Sequence, residues 1–428
     1  MQHLTLEPIK KLSGAVTLPG SKSLTNRALL LSALALGTTR LNNLLRSDDI
    51  EHMIAALQQL AVNLDLSDNW QYCRVRGNDG LFDPPADKSF SLGNAGTAIR
   101  PLTAIFSLIN CEFEIDGDAY MRKRPIVHLT DALTSLGAKI SFLGKKGYPP
   151  YKIKGGGVSG GNISLPGNIS SQYLTALLMA LPLGNTDTKV SIIGEQVSKP
   201  YLDITLGMMK TFGVSASHDN YQHFYIPGNQ SYVSPGEYLI EGDASSASYF
   251  FAGAAVDGGR VSVRGLGKDS VQGDIQFLDA IEKMGASVRR HRNEVEVASN
   301  GKLRGVDMDL NHIPDAAMTL AAIAIFAEGR TTIRNIYNWR VKETDRMHAM
   351  SEGLARLGAK VVTTIDTISI EPPKKIQSAT INPYGDHRVA MSFSLAALSG
   401  AKITIQDPDC TRKTFPNYFE VLKSVSIL

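Results

Sequence analysis

GSKSLTNRALLLSALALG, residues 20–37, reads as a polar turn that opens a helix, apolar on nearly every side, and stops at a glycine. The pattern returns five times. The further openings are GNAGTAIR from Gly93, GNISSQY from Gly167, GDASSAS from Gly242, IPDAAMT from Ile313 and YGDHRVA from Tyr384. The corresponding stops fall at Asn110, Gly184, Gly258, Gly329 and Gly400. The spacing is roughly 70–75 residues, too long for a solenoid rung and right for a whole supersecondary unit. A helix start offers free backbone N–H groups and the positive end of a dipole, which favours anions. Six such starts that converge would frame one anion pocket.

A second element repeats in step. Leu136-Gly137-Ala138, Phe212-Gly213-Val214, Met284-Gly285-Ala286 and Leu357-Gly358-Ala359 each follow a helical stretch, and Leu60-Ala61-Val62 is a looser copy. A sixth copy is expected within residues 421–427. Glycine there suits the left-handed position after a helix, and the residues beyond it suit a strand. Each repeat therefore reads as strand, buried helix, strand, amphipathic helix, strand, a βαβαβ-type unit. The amphipathic helices are expected at residues 126–136 and 345–357. Six units sort into two lobes of three, and a cleft between lobes is a preferred place for a ligand.

Composition narrows the class. The 428 residues are 43% hydrophobic and 20% charged, with a net charge of +3. Lys and Arg form no run, which speaks against nucleic acid and anionic membranes as partners. Cys73, Cys111 and Cys410 are odd in number and far apart, which argues against a disulfide framework or a Cys-based zinc site and for a reducing compartment. The first residues carry no signal pattern, and no apolar run reaches a bilayer's span, so a cytoplasmic protein is expected.

Charge then marks the openings. Lys22 and Arg27 lie in the first, Arg100 in the second, His387 and Arg388 in the sixth. Arg124 in MRKRPI, Lys342 and Arg346 in RVKETDRM, and Lys413 in DCTRKTFP stand in unusual basic segments. Guanidinium forks match carboxylate and phosphate, so the expected ligand carries more than one anionic group. Among acids, Asp315 is either an N-cap or a site residue, and Glu343 either a surface ion-pair partner or a site residue. His387 has no nearby His or Cys, so no metal site is expected. GGGVSGG at residues 155–161 lacks the Lys-Ser/Thr of a phosphate loop and reads as a plain loop.

LPGSKSLTNRALLLSALA, LGNAGTAIRPL, RPI at Arg124, LPGNISSQYLTALLMA, RVKETDRM, GDHRVAM and RKTFP together resemble the 3-phosphoshikimate 1-carboxyvinyltransferases, the 5-enolpyruvylshikimate-3-phosphate synthases. The resemblance runs nearly end to end. Ala244 is a departure, since many members have Pro there. It implies an α/β (α+β) protein with the two-lobed inverse α/β barrel of the enolpyruvyl transferases, three repeats per lobe. One lobe would span residues 22–241, the other 1–21 plus 242–428.

The implied reaction moves the enolpyruvyl group of phosphoenolpyruvate to the 5-hydroxyl of shikimate 3-phosphate and releases phosphate, on the way to chorismate and the aromatic amino acids. It needs no cofactor, and the enzyme is expected to be monomeric. The resemblance makes Asp315, Glu343 and Lys22 catalytic. It assigns Lys22, Gly96, Arg124, Gln172, Arg346, Arg388 and Lys413 to phosphoenolpyruvate. Lys22, Ser23, Arg27, Ser170, Ser171, Gln172, Ser198, Tyr201, Asp315, Asn338 and Lys342 fall to shikimate 3-phosphate. Asn94, Arg100 and His387 are further candidates, and SSQY at residues 170–173 also reads as a simple capped helix start. Intact Gly96 and Pro101 imply inhibition by glyphosate. The sister transferase acting on UDP-N-acetylglucosamine is disfavoured, because it carries Lys-Asn where this chain has Lys22-Ser23 and a loop Cys that residues 120–123 lack. A non-catalytic phosphometabolite-binding protein is disfavoured by the joint presence of Asp315 and Glu343.

Overall fold

The computed structural model describes residues 2–256 and 258–428. The chain forms two compact units: a continuous one, Gly20–Ile240, and a split one, made of the chain up to Pro19 and Glu241–Leu428. Each has its own apolar core.

The six openings each start a buried helix. In the continuous unit these are α1 (Lys22–Leu34), α2 (Gly96–Leu108) and α3 (Ser171–Ala180). In the split unit they are α4 (Ala244–Ala255), α5 (Ala317–Ile323) and α6 (His387–Ser394). Burial follows the all-round apolar sequence. Every residue of α4, α5 and α6 is buried. In α1 and α3 the exceptions are Ser23 and Gln172, both in the first turn, and in α2 they are Thr97 in the first turn and Leu108 at the far end.

Around these helices each unit builds three sheets. The α2 repeat shows the pattern: Ser89–Ser91, α2, Glu112–Asp116, the outer helix Val127–Ser135, Lys139–Phe142, then Tyr151–Lys154. The first two strands pair in parallel, as a helical crossover requires, and the last two return as an antiparallel hairpin. The repeat is thus βαβαββ, one strand more than the sequence reading gave it. That strand follows a Gly/Pro-rich turn at residues 144–150, which by its composition reads as loop. The strands preceding α1 and α4 are exchanged. Lys11–Thr17 pairs in parallel with Arg260–Arg264 of the split unit, and Glu237–Leu239 with Thr38–Asn42 of the continuous unit.

The small-residue signature is a Schellman stop. Gly137 N–H donates to Thr134 O at 3.0 Å and Ala138 N–H to Leu133 O at 3.0 Å, and the same pair of bonds recurs at Gly213, Gly285 and Gly358. These glycines all have positive φ. The looser copy makes the same bonds with Ala61 at φ 60°, a left-handed conformation that costs an L-residue about 1–2 kcal/mol. The sixth copy expected in residues 421–427 is not formed. The helix Tyr418–Ser424 ends at Val425, whose φ of −108° takes no left-handed stop.

Candidate active site

In the continuous unit the three openings converge, held by polar bonds between first turns. Asn26 Nδ2 donates to Thr97 Oγ1 at 2.6 Å, joining α1 to α2. Arg100 Nη1 donates to Gln172 Oε1 at 2.6 Å, joining α2 to α3. Arg27 Nε donates to Thr205 Oγ1 at 2.9 Å, on the helix Lys199–Thr211.

The cations here rest largely on uncharged oxygens. Arg27 also donates to Ser23 O at 2.9 Å and Tyr201 O at 3.5 Å. Burial, which disfavours the charged form, brings its guanidinium down to about 10, so it remains a cation at neutral pH. Arg100 is buried, with its guanidinium 5.4 Å above the Tyr173 ring. Arg124 donates to the Asn94 backbone oxygen at 3.1 Å and to its side-chain oxygen at 2.8 Å. Between the two arginines sits Gly96. A Cβ there would lie 2.5 Å from Arg100 Nη1 and 2.8 Å from Arg124 Nη2, so hydrogen is the side chain that fits. Lys22 has a carboxylate partner, Asp49 at 3.1 Å, buried in the first turn of the helix Asp48–Gln59.

The polar residues of the third repeat lie at two helix starts. Ser170 caps α3 by accepting from Gln172 N–H at 3.2 Å, which is the bland role foreseen for this stretch, and Ser171 is buried next to it. Ser198 precedes the helix Lys199–Thr211 in a left-handed conformation, φ 54° and ψ 42°, and Tyr201 lies one turn on. Backbone strain of this kind in a non-glycine residue is concentrated at functional sites.

The split unit converges in the same way but is charged differently. Ser248 Oγ and Thr319 Oγ1 are 2.8 Å apart between α4 and α5, and Arg388 Nη1 donates to Tyr249 Oη at 3.5 Å between α6 and α4. At the centre Arg346, 1% exposed, pairs with three carboxylates: Asp315 at 2.7 Å, Glu343 at 2.9 Å and Asp386 at 2.7 Å. Asp315 is also 3.0 Å from Arg388 and 3.8 Å from Lys342. The N-cap of α5 is Ala316, so Asp315 does not cap the helix; its carboxylate is drawn to the three cations. The Glu343 pair is buried, not a surface ion pair.

Burial alone would raise the Asp315 carboxyl, yet Arg388, Lys342 and Arg346 together hold it well below the usual carboxylate range. Burial would likewise lower Arg346, but Asp386, Glu343 and Asp315 push it above the ordinary guanidinium value. Asn338 is buried in the 3-10 turn Tyr337–Val341, fastened by Trp339 Nε1 donating to Pro314 O at 2.7 Å. Lys413 is buried at the end of the 3-10 helix Pro408–Lys413. His387 is wholly buried, with Nδ1 3.6 Å from Asp386.

Sequence reasoning passed over Asp49, Asp386, Tyr249 and Asp274. Asp386 stood inside a quoted opening, where it caps α6 through Arg388 N–H at 2.9 Å. Asp49 looked like any acid in a helix first turn. The openings also differ in what they offer an anion. The α4 start is occupied by the protein's own Asp243, which accepts from Ser246 N–H at 2.7 Å.

The fold is that of the enolpyruvyl transferases. The enzyme NikO from Streptomyces tendae superposes with a TM-score of 0.77 over 99% of this chain and 98% of that one, at 16% identity, a likeness of fold. An EPSP synthase from Acinetobacter baumannii superposes with a TM-score of 0.84 at 27% identity, over 100% and 98% of the two chains. Residues 6–422 match the family model of EPSP synthase (3-phosphoshikimate 1-carboxyvinyltransferase). The 3-phosphoshikimate 1-carboxyvinyltransferase of Tolumonas auensis is 56% identical over 426 residues, 100% of each chain. This chain belongs to the EPSP synthase family. Among the described residues, no helix is long and apolar enough to cross a membrane.

Proposed function

We propose that this chain transfers the enolpyruvyl group from phosphoenolpyruvate to the 5-hydroxyl of shikimate 3-phosphate with release of phosphate, using the residues assigned below. The family assignment supports the substrates, and the observation that carries the chemistry is Asp315, ionised among Arg346, Arg388 and Lys342. Phosphoenolpyruvate becomes electrophilic at C2 when its methylene carbon takes a proton. The hydroxyl oxygen then bonds to C2 and gives up its own proton, forming a tetrahedral intermediate. Loss of phosphate and of one methyl proton restores the double bond.

Asp315 receives the hydroxyl proton. Held as acidic as it is, it acts first as a hydrogen-bond acceptor. Phosphoenolpyruvate anions that draw on Arg346 and Arg388 release part of that hold and make Asp315 more basic when the substrate is bound. Glu343 gives and recovers the proton at carbon, with Lys22 at the bridging oxygen and phosphate. Arg124, Arg346, Arg388 and Lys413 bind the anionic groups of phosphoenolpyruvate, with Gln172 and the backbone at Gly96. Ser170, Ser171 and Ser198 bind the phosphate of shikimate 3-phosphate. Ser23, Arg27, Tyr201, Asn338 and Lys342 contact its remainder.

A monomeric cytoplasmic enzyme, inhibited by glyphosate in competition with phosphoenolpyruvate, completes the reading; activity untouched by glyphosate removes that last element. Asp315→Asn tests the chemistry. Turnover is expected to fall by about 10²–10⁴-fold. Calorimetric binding of shikimate 3-phosphate should persist. Retained turnover would remove Asp315 from the proton path.

A further inference from the structure

Thr205 places a hydroxyl on a face that is otherwise apolar. It lies in the helix Lys199–Thr211, among the buried residues Leu202, Ile204, Met208 and Met209, and is itself 0% exposed. A hydroxyl in such a place costs desolvation unless it is hydrogen-bonded. Here the whole bonding capacity of the oxygen is used. Its one hydrogen goes back along the helix to Tyr201 O at 2.8 Å. It accepts from Arg27 Nε at 2.9 Å. Thr175 Oγ1, on α3, lies 3.3 Å away and donates to it, because the Thr205 proton is already taken.

The bond to Arg27 is one half of a fork. Arg27 Nη2 donates to Tyr201 O at 3.5 Å, beside the Nε bond, and Arg27 Nη1 donates to Ser23 O at 2.9 Å. Nε and Nη2 thus grip the helix Lys199–Thr211 in a two-point contact, with Tyr201 O shared by the guanidinium and the Thr205 hydroxyl. A guanidinium carries five N–H donors in a rigid plane. Three are used in this way. Among the described residues the other two, one on each Nη nitrogen, have no acceptor. Fixing the plane at Thr205 fixes the direction of those two.

We propose that Thr205 is a positioning residue for shikimate 3-phosphate: its hydroxyl holds the guanidinium plane of Arg27 so that the two remaining N–H groups meet oxygens of the substrate in one orientation. Being wholly buried, Thr205 acts through Arg27 and not by touching the substrate. The same bond ties α1 to the helix whose start carries Ser198 and Tyr201, so three groups assigned to this substrate are held in register. The proposal rests on Arg27 contacting shikimate 3-phosphate, as assigned above.

The test compares Thr205→Val, which keeps the shape and loses the hydroxyl, with Thr205→Ser, which keeps the hydroxyl. Binding of shikimate 3-phosphate is measured by calorimetry, and kcat and both KM values by phosphate release. Thr205→Val should raise the Kd and KM for shikimate 3-phosphate by about threefold to tenfold, the scale of one misaligned charged hydrogen bond. Its kcat and its KM for phosphoenolpyruvate should change by less than about twofold, because the lost contact serves binding and not the chemical step. Thr205→Ser should bring the Kd back to within about twofold of wild type. Thr175→Val removes the third bond at the same oxygen and leaves the Arg27 contact in place, so it should lower the urea midpoint without moving the Kd. An unchanged Kd in Thr205→Val, or an equal rise in Thr205→Ser or Thr175→Val, would overturn the proposal.

Hydrogen exchange at Arg27 Nε gives a readout that needs neither turnover nor substrate. In protein isotopically labelled at the arginine Nε positions and followed by NMR, the Arg27 signal is identified by its loss in Arg27→Lys. It should exchange slowly with water in wild type and Thr205→Ser, and quickly in Thr205→Val. A wild type that does not bind shikimate 3-phosphate would count against the substrate reading alone, and exchange would still decide on Thr205: a signal that quickens in Thr205→Val supports the proposal, and one that does not overturns it. Should Thr205→Val not fold, the wild-type signal decides, slow exchange supporting the proposal and fast exchange overturning it.

Discussion

The two units place three buried helices in the same kind of frame and charge them in opposite ways. In the continuous unit, Arg27, Arg100 and Arg124 bond to hydroxyl, amide and carbonyl oxygens, and the partly exposed residues Ser23, Thr97 and Gln172 lie in the first turns. In the split unit, Arg346 is matched to three carboxylates and the helices are buried to their first residues. Neutral dipoles hold a guanidinium in place without cancelling its charge, which suits the anion binding proposed for the first group. Carboxylates cancel the charge and acquire shifted proton affinities in return, which suits the proton transfer proposed for the second.

Removing one arginine from each group is the sharpest way to break this comparison. Arg346→Met leaves the buried Asp386 and the partly buried Asp315 and Glu343 without their shared cation and should cost about 3–5 kcal/mol in urea unfolding. Arg27→Met takes a buried cation away from neutral oxygens and should cost about 1–2 kcal/mol, while the KM for shikimate 3-phosphate rises by about tenfold or more. Equal losses of stability would mean that the two groups do not differ as described.

Gly96→Ala sharpens the anion-receiving side. The added Cβ must displace Arg100 Nη1 and Arg124 Nη2, from which it would stand 2.5 and 2.8 Å. Because both are ends of flexible side chains, the fold should tolerate the change. Steady-state kinetics should show a roughly tenfold rise in the KM for phosphoenolpyruvate, with the chemical step altered less, since a misplaced arginine loses a two-point contact. An unchanged KM would place Arg124 outside the phosphoenolpyruvate site.

The smallest expected effect lies in the frame that both units share. Ala61 occupies the left-handed stop that glycine fills in four other repeats. Ala61→Gly removes a strain of about 1–2 kcal/mol and adds unfolded-chain entropy of about 0.5–1 kcal/mol. The urea midpoint should therefore rise, by a net gain on the order of 0.5–1 kcal/mol. Gly137→Ala should do the reverse and more, because its Cβ would meet Gly157 O at 2.2 Å.

Much of this frame was legible in the sequence because it is written in local chemistry. The six polar openings mark the six buried helices, and the Gly137, Gly213, Gly285 and Gly358 stops mark the ends of outer ones. The outer helices expected at residues 126–136 and 345–357 form at Val127–Ser135 and Arg346–Arg356. The hairpin strand Tyr151–Lys154 was not legible, since its pairing is fixed by a neighbour, Glu112–Asp116, well before it in the chain. The basic residues of the site stood out by recurring at equivalent places. Asp49 and Asp274 did not, because a buried acid is recognised by its partner, Lys22 in one case and Ser245 in the other, and that pairing exists only after folding. Asp315 was ambiguous for the same reason: a helix start and three distant cations competed for it, and the cations won.

The most direct measurement is phosphate release by the purified protein without added metal, given shikimate 3-phosphate and phosphoenolpyruvate singly and together. Release that requires both substrates is the expected result, because phosphate leaves only after the 5-hydroxyl has added to C2. Release from phosphoenolpyruvate alone at the same rate, or no release with both present, would contradict the proposed transfer.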